Sequence, residues 1–145
     1  MTYLLETNII IHLLRKDLTG ELIKKQYQLF DKSTLLVVSV ITIGELYSFA
    51  LQRNWGFQRK KDLENILNLL LIADINAPKI IQKYAEIDSY SQNRLSNKPM
   101  PTSARKMGKN DIWIAATASA LQIPLLSTDA DFQHLDTIYL DLCKV

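Results

Sequence analysis

At 145 residues, with 48% hydrophobic and 22% charged side chains, the chain has the size of one ordinary domain and can bury a core without disulfides or a structural metal. Four glycines and four prolines exclude a linker or low-complexity tract, and the single cysteine, Cys143, excludes an internal disulfide and any cysteine metal cluster. A net charge of +2 is too mild to announce a nucleic-acid binder, so only local clustering of charge can argue for one.

The lone cysteine fits a reducing cytoplasm. The apolar start MTYLLETNIIIHLLRK is interrupted by Glu6 and His12 and is followed by no small-residue cleavage pattern. It is expected to be core strand and helix rather than signal peptide or membrane span. Tyr3–Leu5 reads as a strand ending on Glu6, and Thr7 as the cap of a helix through Asn8 to Leu14. Gly20–Phe30 alternates as an amphipathic surface helix with no chemistry of its own. Leu35–Val40, LLVVSV, is a β-branched run suited to a strand covered on both faces, after which Thr42 to Glu45 open the next helix.

Arg53 to Gly56 break that pattern. Leu63, Ile66, Leu67, Leu70 and Leu71 then recur at helical spacing, and Ile72–Ile75 reads as a third short strand. Pro78 starts a helix with Ile80, Ile81, Tyr84 and Ile87 inward. Ser96–Lys109 is a polar, basic, proline-bearing loop. Asn110 and Asp111 then stand where caps belong, ahead of the buried helix IWIAATASAL. Gln122 to Pro124 end it, Leu125 and Leu126 give a short strand, Ser127, Thr128 and Asp129 lead into a loop, and Ile138–Leu142 closes the chain as a strand. Strands alternating with helices predict an α/β fold over residues 1–145, a mainly parallel sheet between helix layers.

In such a sheet Glu6, Glu45, Asp111 and Asp129 all fall at strand ends or helix starts and can converge on one pocket. Converging carboxylates repel unless a cation lies among them, and an all-oxygen ligand set selects Mg²⁺ or Mn²⁺ over zinc. Each acid also has an ordinary reading. Thr42-x-x-Glu45 matches a capping box, Asp111 suits a helix start, Asp129 and Asp131 suit a turn, and Glu6 suits a solvated strand end. Spacing alone leaves the metal site and the structural acids even. His12 is expected to be packed and His134 to lie at the surface, too far apart in sequence for a metal pattern. Ser39 and Ser127 lack a glycine-flanked elbow, and no glycine loop cradles phosphate.

Four stretches, YLLETNIIIHLL, SVITIGELY, NDIWIAATA and LLSTDADF, resemble in order and spacing the motifs of PIN-domain ribonucleases of the VapC toxin type. The resemblance spans almost the whole chain. It implies a three-layer PIN-like fold and a Mg²⁺- or Mn²⁺-dependent endoribonuclease neutralised by a cognate antitoxin, commonly as a homodimer, with no role at a membrane. It assigns the acid positions to Glu6, Glu45, Asp111 and Asp129, with Thr7, Asn8, Thr128 and Asp131 in support. Arg105, Lys106 and Lys109 crowd the loop before Asp111 and are expected to hold RNA phosphates. Apolar residues Leu46, Tyr47, Phe49, Leu51, Trp55 and Phe57 are expected to offer surface for an antitoxin segment or a second copy. Position 6 departs from the pattern, since the family has aspartate there. A second reading is therefore a PIN-fold RNA-binding or antitoxin-binding module whose turnover Glu6 has impaired.

Overall fold

A computed structural model describes residues 1–145. Its strands are β1 (Thr2–Leu5), β2 (Leu35–Ser39), β3 (Leu71–Ala73), β4 (Leu125–Ser127) and β5 (Leu142–Lys144), and they form one sheet in the order β3-β2-β1-β4-β5. Every pairing is parallel, with Leu4 opposite Val37 on one side and Leu125 on the other. Successive side chains of a strand face opposite ways, and here both faces are apolar. Tyr3, Leu5, Leu36, Val38 and Leu126 enter one core, whereas Leu4, Val37 and Leu125 enter the other.

The helices cover these two faces. Helices α1 (Thr7–Arg15), α2 (Leu18–Gln26) and α4 (Phe57–Leu67) bring Ile10, Leu14, Ile23, Leu63 and Leu67 to the first core. Helices α5 (Pro78–Ser91) and α6 (Lys109–Leu121) bring Ile80, Ile87, Tyr90, Ile112 and Ile114 to the second. The small side chains of Ala115, Ala116, Ala118 and Ala120 let α6 lie close to its neighbours, so its whole circumference is buried from Ile112 to Ala120 except at half-buried Trp113. Helix α3 (Val40–Gln52) spans the edge between the layers, with Leu46 and Ala50 in the first core and Ile41 against the second. Leu4, Leu5, Leu125 and Leu126 are completely enclosed, each worth about 1.5–3 kcal/mol in transfer from water, so the centre of the sheet is a rigid base.

Several local expectations are corrected. Glu6, not Thr7, caps α1, because the helix already starts at Thr7, and the Glu6 carboxylate accepts the backbone N–H of Asn8 at 3.1 Å. Ser39 caps α3, which starts at Val40, so Thr42 and Glu45 lie inside the helix and form no capping box. Gly108 precedes α6, which places Asn110 and Asp111 within its first turn with no side-chain cap. Helix α2 stops at Gln26, before the left-handed Gln28. Helix α4 ends at Leu67, and Leu70 is buried in the turn that leads to β3, which starts one residue and ends two residues earlier than expected and is largely exposed as an edge strand. Ile81 points to water at 49% exposure, since the inward stripe of α5 runs through Ile80, Ile87 and Tyr90. The closing strand is Leu142–Lys144, because Ile138 to Leu140 turn to seat Leu140 in the core. No helix is long and apolar enough to cross a membrane.

Candidate metal centre

Strand order fixes where the site lies. From β1 the sheet grows toward β2 and β3 on one side and β4 and β5 on the other, so the crevice opens at the carboxyl ends of β1 and β4. Glu6 follows β1 directly, and Asp129 lies two residues beyond β4. Asp131 is the second residue of a 3-10 turn, Ala130–Leu135, whose cap is Asp129. Asp111 is the third residue of α6.

Hydroxyls hold these acids in place. Buried Ser127 donates from Oγ to Glu6 Oε2 at 3.3 Å and accepts the N–H of Asp129 at 2.9 Å, joining residues 121 apart in sequence. Asp129 Oδ1 in turn accepts the N–H of Asp131 at 2.9 Å. Thr7 Oγ1 lies 2.6 Å from Glu45 Oε1 and 3.1 Å from Thr42 Oγ1. Its one proton goes to the carboxylate, where the bond is charge-assisted, so fully buried Thr42 donates to Thr7. Asn8 takes part through its backbone N–H, and half-buried Thr128 makes no side-chain hydrogen bond.

Asp111, Asp129 and Asp131 each offer an oxygen within 4.8 Å of the others. Burial, then the charges of Asp129, Glu45 and Asp131, push the Asp111 carboxyl up to about 6. Burial raises Glu6 further, to about 7, with Asp111 and Asp129 adding to the rise and the Asn8 N–H and Ser127 hydroxyl opposing it. The expected set of four is thus within electrostatic reach of itself, but its tightest part is a trio that includes Asp131. Glu6 stands outside that trio with Oε2 already engaged. An oxygen-only cluster in which Glu6 and Asp111 resist ionisation suits a hard divalent cation.

Arg105, Lys106 and Lys109 are exposed and unpaired, and with Arg94 and Tyr84 they line a groove of roughly 550 Å³ between α5 and the start of α6. Its wall reaches Ile112, next to Asp111. Arg53, Arg59 and Lys61 instead stack over Phe49, Trp55 and Phe57 at 4.7, 5.3 and 5.8 Å. The expected apolar surface divides: Leu46 and Trp55 are core, while Tyr47, Leu51 and Phe57 are 52%, 77% and 79% exposed. A larger cleft of roughly 870 Å³ lies beside Pro124, at the amino end of β4, and contains none of the site acids.

His134 is not a surface residue. It is half-buried, with Nε2 2.8 Å from Ser91 Oγ, and burial together with nearby Arg105 holds its ring below the ordinary value. Half-buried His12 bonds through Nδ1 to Asp17 at 2.8 Å across the α1–α2 corner. Sequence reasoning missed Ser127, Thr42 and Ser91 as site-building residues, because their partners lie 35 to 121 residues away and leave no local pattern.

Fold and site together define an α/β protein with a carboxylate cluster at the switch point of a parallel sheet. The sequence profile of the PIN domain matches residues 3–138, and the chain belongs to that family. Among solved structures it is similar to a chain of VapBC-1 from nontypeable Haemophilus influenzae, 26% identical with a TM-score of 0.74 over 99% of this chain and 98% of that one. A chain of VapBC2 from Rickettsia felis, solved bound to a DNA fragment from their promoter, shares 23% identity and a TM-score of 0.76 over 100% and 99%. Mycobacterium tuberculosis VapC20, a sarcin–ricin loop cleaving toxin, is similar in fold at 14% identity and a TM-score of 0.64 over 95% and 98%. The resemblance to VapC-type toxins drawn from the four motifs agrees with these neighbours. Comparison with curated proteins returns no match.

Proposed function

We propose that the chain is a Mg²⁺- or Mn²⁺-dependent endoribonuclease of the toxin type, a single domain over residues 1–145 acting in the cytoplasm and neutralised by a cognate antitoxin. The observation that carries this reading is the Asp111, Asp129 and Asp131 trio, with Glu6 and Glu45 beside it. A divalent cation held there supplies charge to a phosphoryl oxygen and lowers the pKa of water. The residues supply the rest. Asp111, Asp129 and Asp131 offer ligand oxygens, Thr7 fixes the carboxylate of Glu45, and Ser127 ties Glu6 to the Asp129 turn. The test is cleavage of total RNA by the purified, antitoxin-free chain. Cleavage that needs Mg²⁺ or Mn²⁺ and stops in chelator supports the enzyme.

The alternative, a PIN-fold module impaired by Glu6, is favoured by one observation: Glu6 Oε2 is committed to the Asn8 N–H and Ser127 and stands outside the trio. No cleavage at any cation concentration by folded chain would establish it. Position 6 gives its own prediction. Aspartate still caps a helix but withdraws the carboxylate by about one bond, and a misplacement near 1 Å can cost about 100-fold in rate. Glu6→Asp is expected to raise cleavage on the order of tenfold. A rate equal to or below the parent would show a site built for glutamate.

The groove of Arg105, Lys106 and Lys109 is proposed to hold RNA phosphates. Each lost contact to a single strand removes about 0.7 from the salt slope, so neutralising all three is expected to flatten it by about 2 while leaving Mn²⁺ affinity nearly intact. Binding titrations at several salt concentrations check this, and an unaltered slope removes the groove from the RNA path. Tyr47, Leu51 and Leu63 line a smaller groove between α3 and α4 that an antitoxin segment or a second copy is proposed to cover. Light scattering that reports only monomer at micromolar concentration removes the homodimer.

A further inference from the structure

Asp131 poses a problem of placement, because it is exposed yet keeps its carboxylate within 4.8 Å of both Asp111 and Asp129. An exposed acid on a short turn scatters among rotamers and backbone states unless something fixes the turn. Its own N–H bond to Asp129 Oδ1 ties down only the start of that turn. Phe132 and Leu135 are fully buried and seat the turn on the core, so it folds from them. What remains to be set is its rotation about that apolar seat.

In a helix of three residues per turn, side chains three apart eclipse, so Asp131 and His134 share one side of the Ala130–Leu135 turn. His134 Nε2 meets Ser91 Oγ at 2.8 Å, and Ser91 is 1% exposed. Ser91 is a fixed point. It is the last residue of α5, its carbonyl accepts the N–H of Arg105 at 2.7 Å, and its hydroxyl lies 3.4 Å from Met107 Sδ. The other ring nitrogen of His134, Nδ1, is buried and bonds no side chain, so the bond to Ser91 is the ring's one side-chain tether.

We propose that the Ser91–His134 hydrogen bond is a positioning latch that aims Asp131 into the carboxylate cluster and couples that cluster to the basic loop anchored at Arg105. This rests on the metal reading above. The ordinary alternative is a buried polar pair that merely satisfies itself. The two differ in what happens at Asp131. If the latch acts through Asp131, losing either changes metal affinity, and losing both adds nothing. Supports of metal ligands typically cost 10- to 100-fold in affinity when removed.

The experiment is calorimetric titration of the metal-free full chain with Mn²⁺ for the parent, Ser91→Ala, His134→Phe, Asp131→Asn and the double variant Ser91→Ala/Asp131→Asn, with circular dichroism to confirm folding. The expected result is that each single change weakens Mn²⁺ about tenfold or more and that the double variant matches Asp131→Asn within about twofold. His134→Phe keeps the ring's volume and gives the same answer should Ser91→Ala fail to fold. Parent-like affinity in the folded latch variants, or a double loss equal to the product of the single losses, overturns the latch while the metal reading stands. A parent chain that binds no Mn²⁺ overturns both.

Discussion

Asp111→Asn is expected to lower metal-dependent RNA cleavage on the order of 1,000-fold and, at the same time, to stabilise the metal-free protein above pH 6. The two effects have one cause. Asp111 is half-buried with Asp129, Glu45 and Asp131 around it, and its carboxyl is pushed up to about 6, so its ionised form is paid for in folding energy. Asparagine keeps the shape and removes the charge. It forfeits a ligand oxygen, hence the rate, and it relieves the repulsion, hence the stability. Because Asp111 is only half-buried, solvent screening limits the gain to the order of 1 kcal/mol at pH 8. Below pH 4 the native carboxyl is protonated and the two proteins should unfold alike. Urea denaturation in chelator at pH 4 and pH 8, beside the cleavage assay, measures both. A variant that loses activity and stability together has simply folded badly, and its loss of rate says nothing about the metal.

The parts of this architecture that were legible in the sequence are those whose signal is local. LLVVSV and IAATASA are apolar on every side, and only an element covered on both faces or all round can use such a run, so β2 and α6 were readable from composition alone. The alternation of such runs with amphipathic segments gave the parallel sheet, and the sheet gave the meeting of Glu6 with Asp129. What failed was the fine placement of caps and edge strands. Glu6 takes the cap of α1 because the helix already opens at Thr7, one residue earlier than a Thr7 cap requires, and β3 is partly exposed, so it lacks the apolar continuity that marks an inner strand. Thr42 and Glu45 carried the spacing of a capping box, yet their bonds run across to Thr7 on another helix. Ser91 and His134 lie 43 residues apart and show no periodicity at all. Asp131, given a supporting place from sequence, stands nearest Asp111 and Asp129 because a 3-10 turn, whose tight pitch is not announced by ADFQHL, swings it there.

Stability without metal is expected to fall as pH rises from 5 to 8, opposite to the trend of a protein whose carboxylates sit in ion pairs. Glu6 is the main reason. Its carboxyl titrates near 4.5 in the unfolded chain and about 7 in the native one, chiefly because it is only 3% exposed. The unfolded state therefore gives up its proton first. A native pKa raised above the unfolded value means that stability is complete below about pH 4.5 and is lost as pH climbs through 7, by about 3 kcal/mol from Glu6 alone. Asp17 works in the other sense, since the Gly20 N–H and His12 hold it below its ordinary value, but its contribution changes only under about pH 4; His134, held below its ordinary value by burial and Arg105, opposes the trend inside the window, while Asp111, raised to about 6, adds to it. A divalent cation reverses the trend, because it binds the ionised carboxylates and displaces their protons. Mn²⁺ is thus expected to shift the melting temperature little at pH 5 and by roughly 6–12 °C at pH 8, the size that about 3 kcal/mol gives in a domain near 150 residues. Thermal melts at both pH values, with chelator and with Mn²⁺, make the comparison. A metal-free protein whose melting temperature rises across this window would mean that Glu6 is solvated or ion-paired in solution, and the crowded acid site described here would not survive that result.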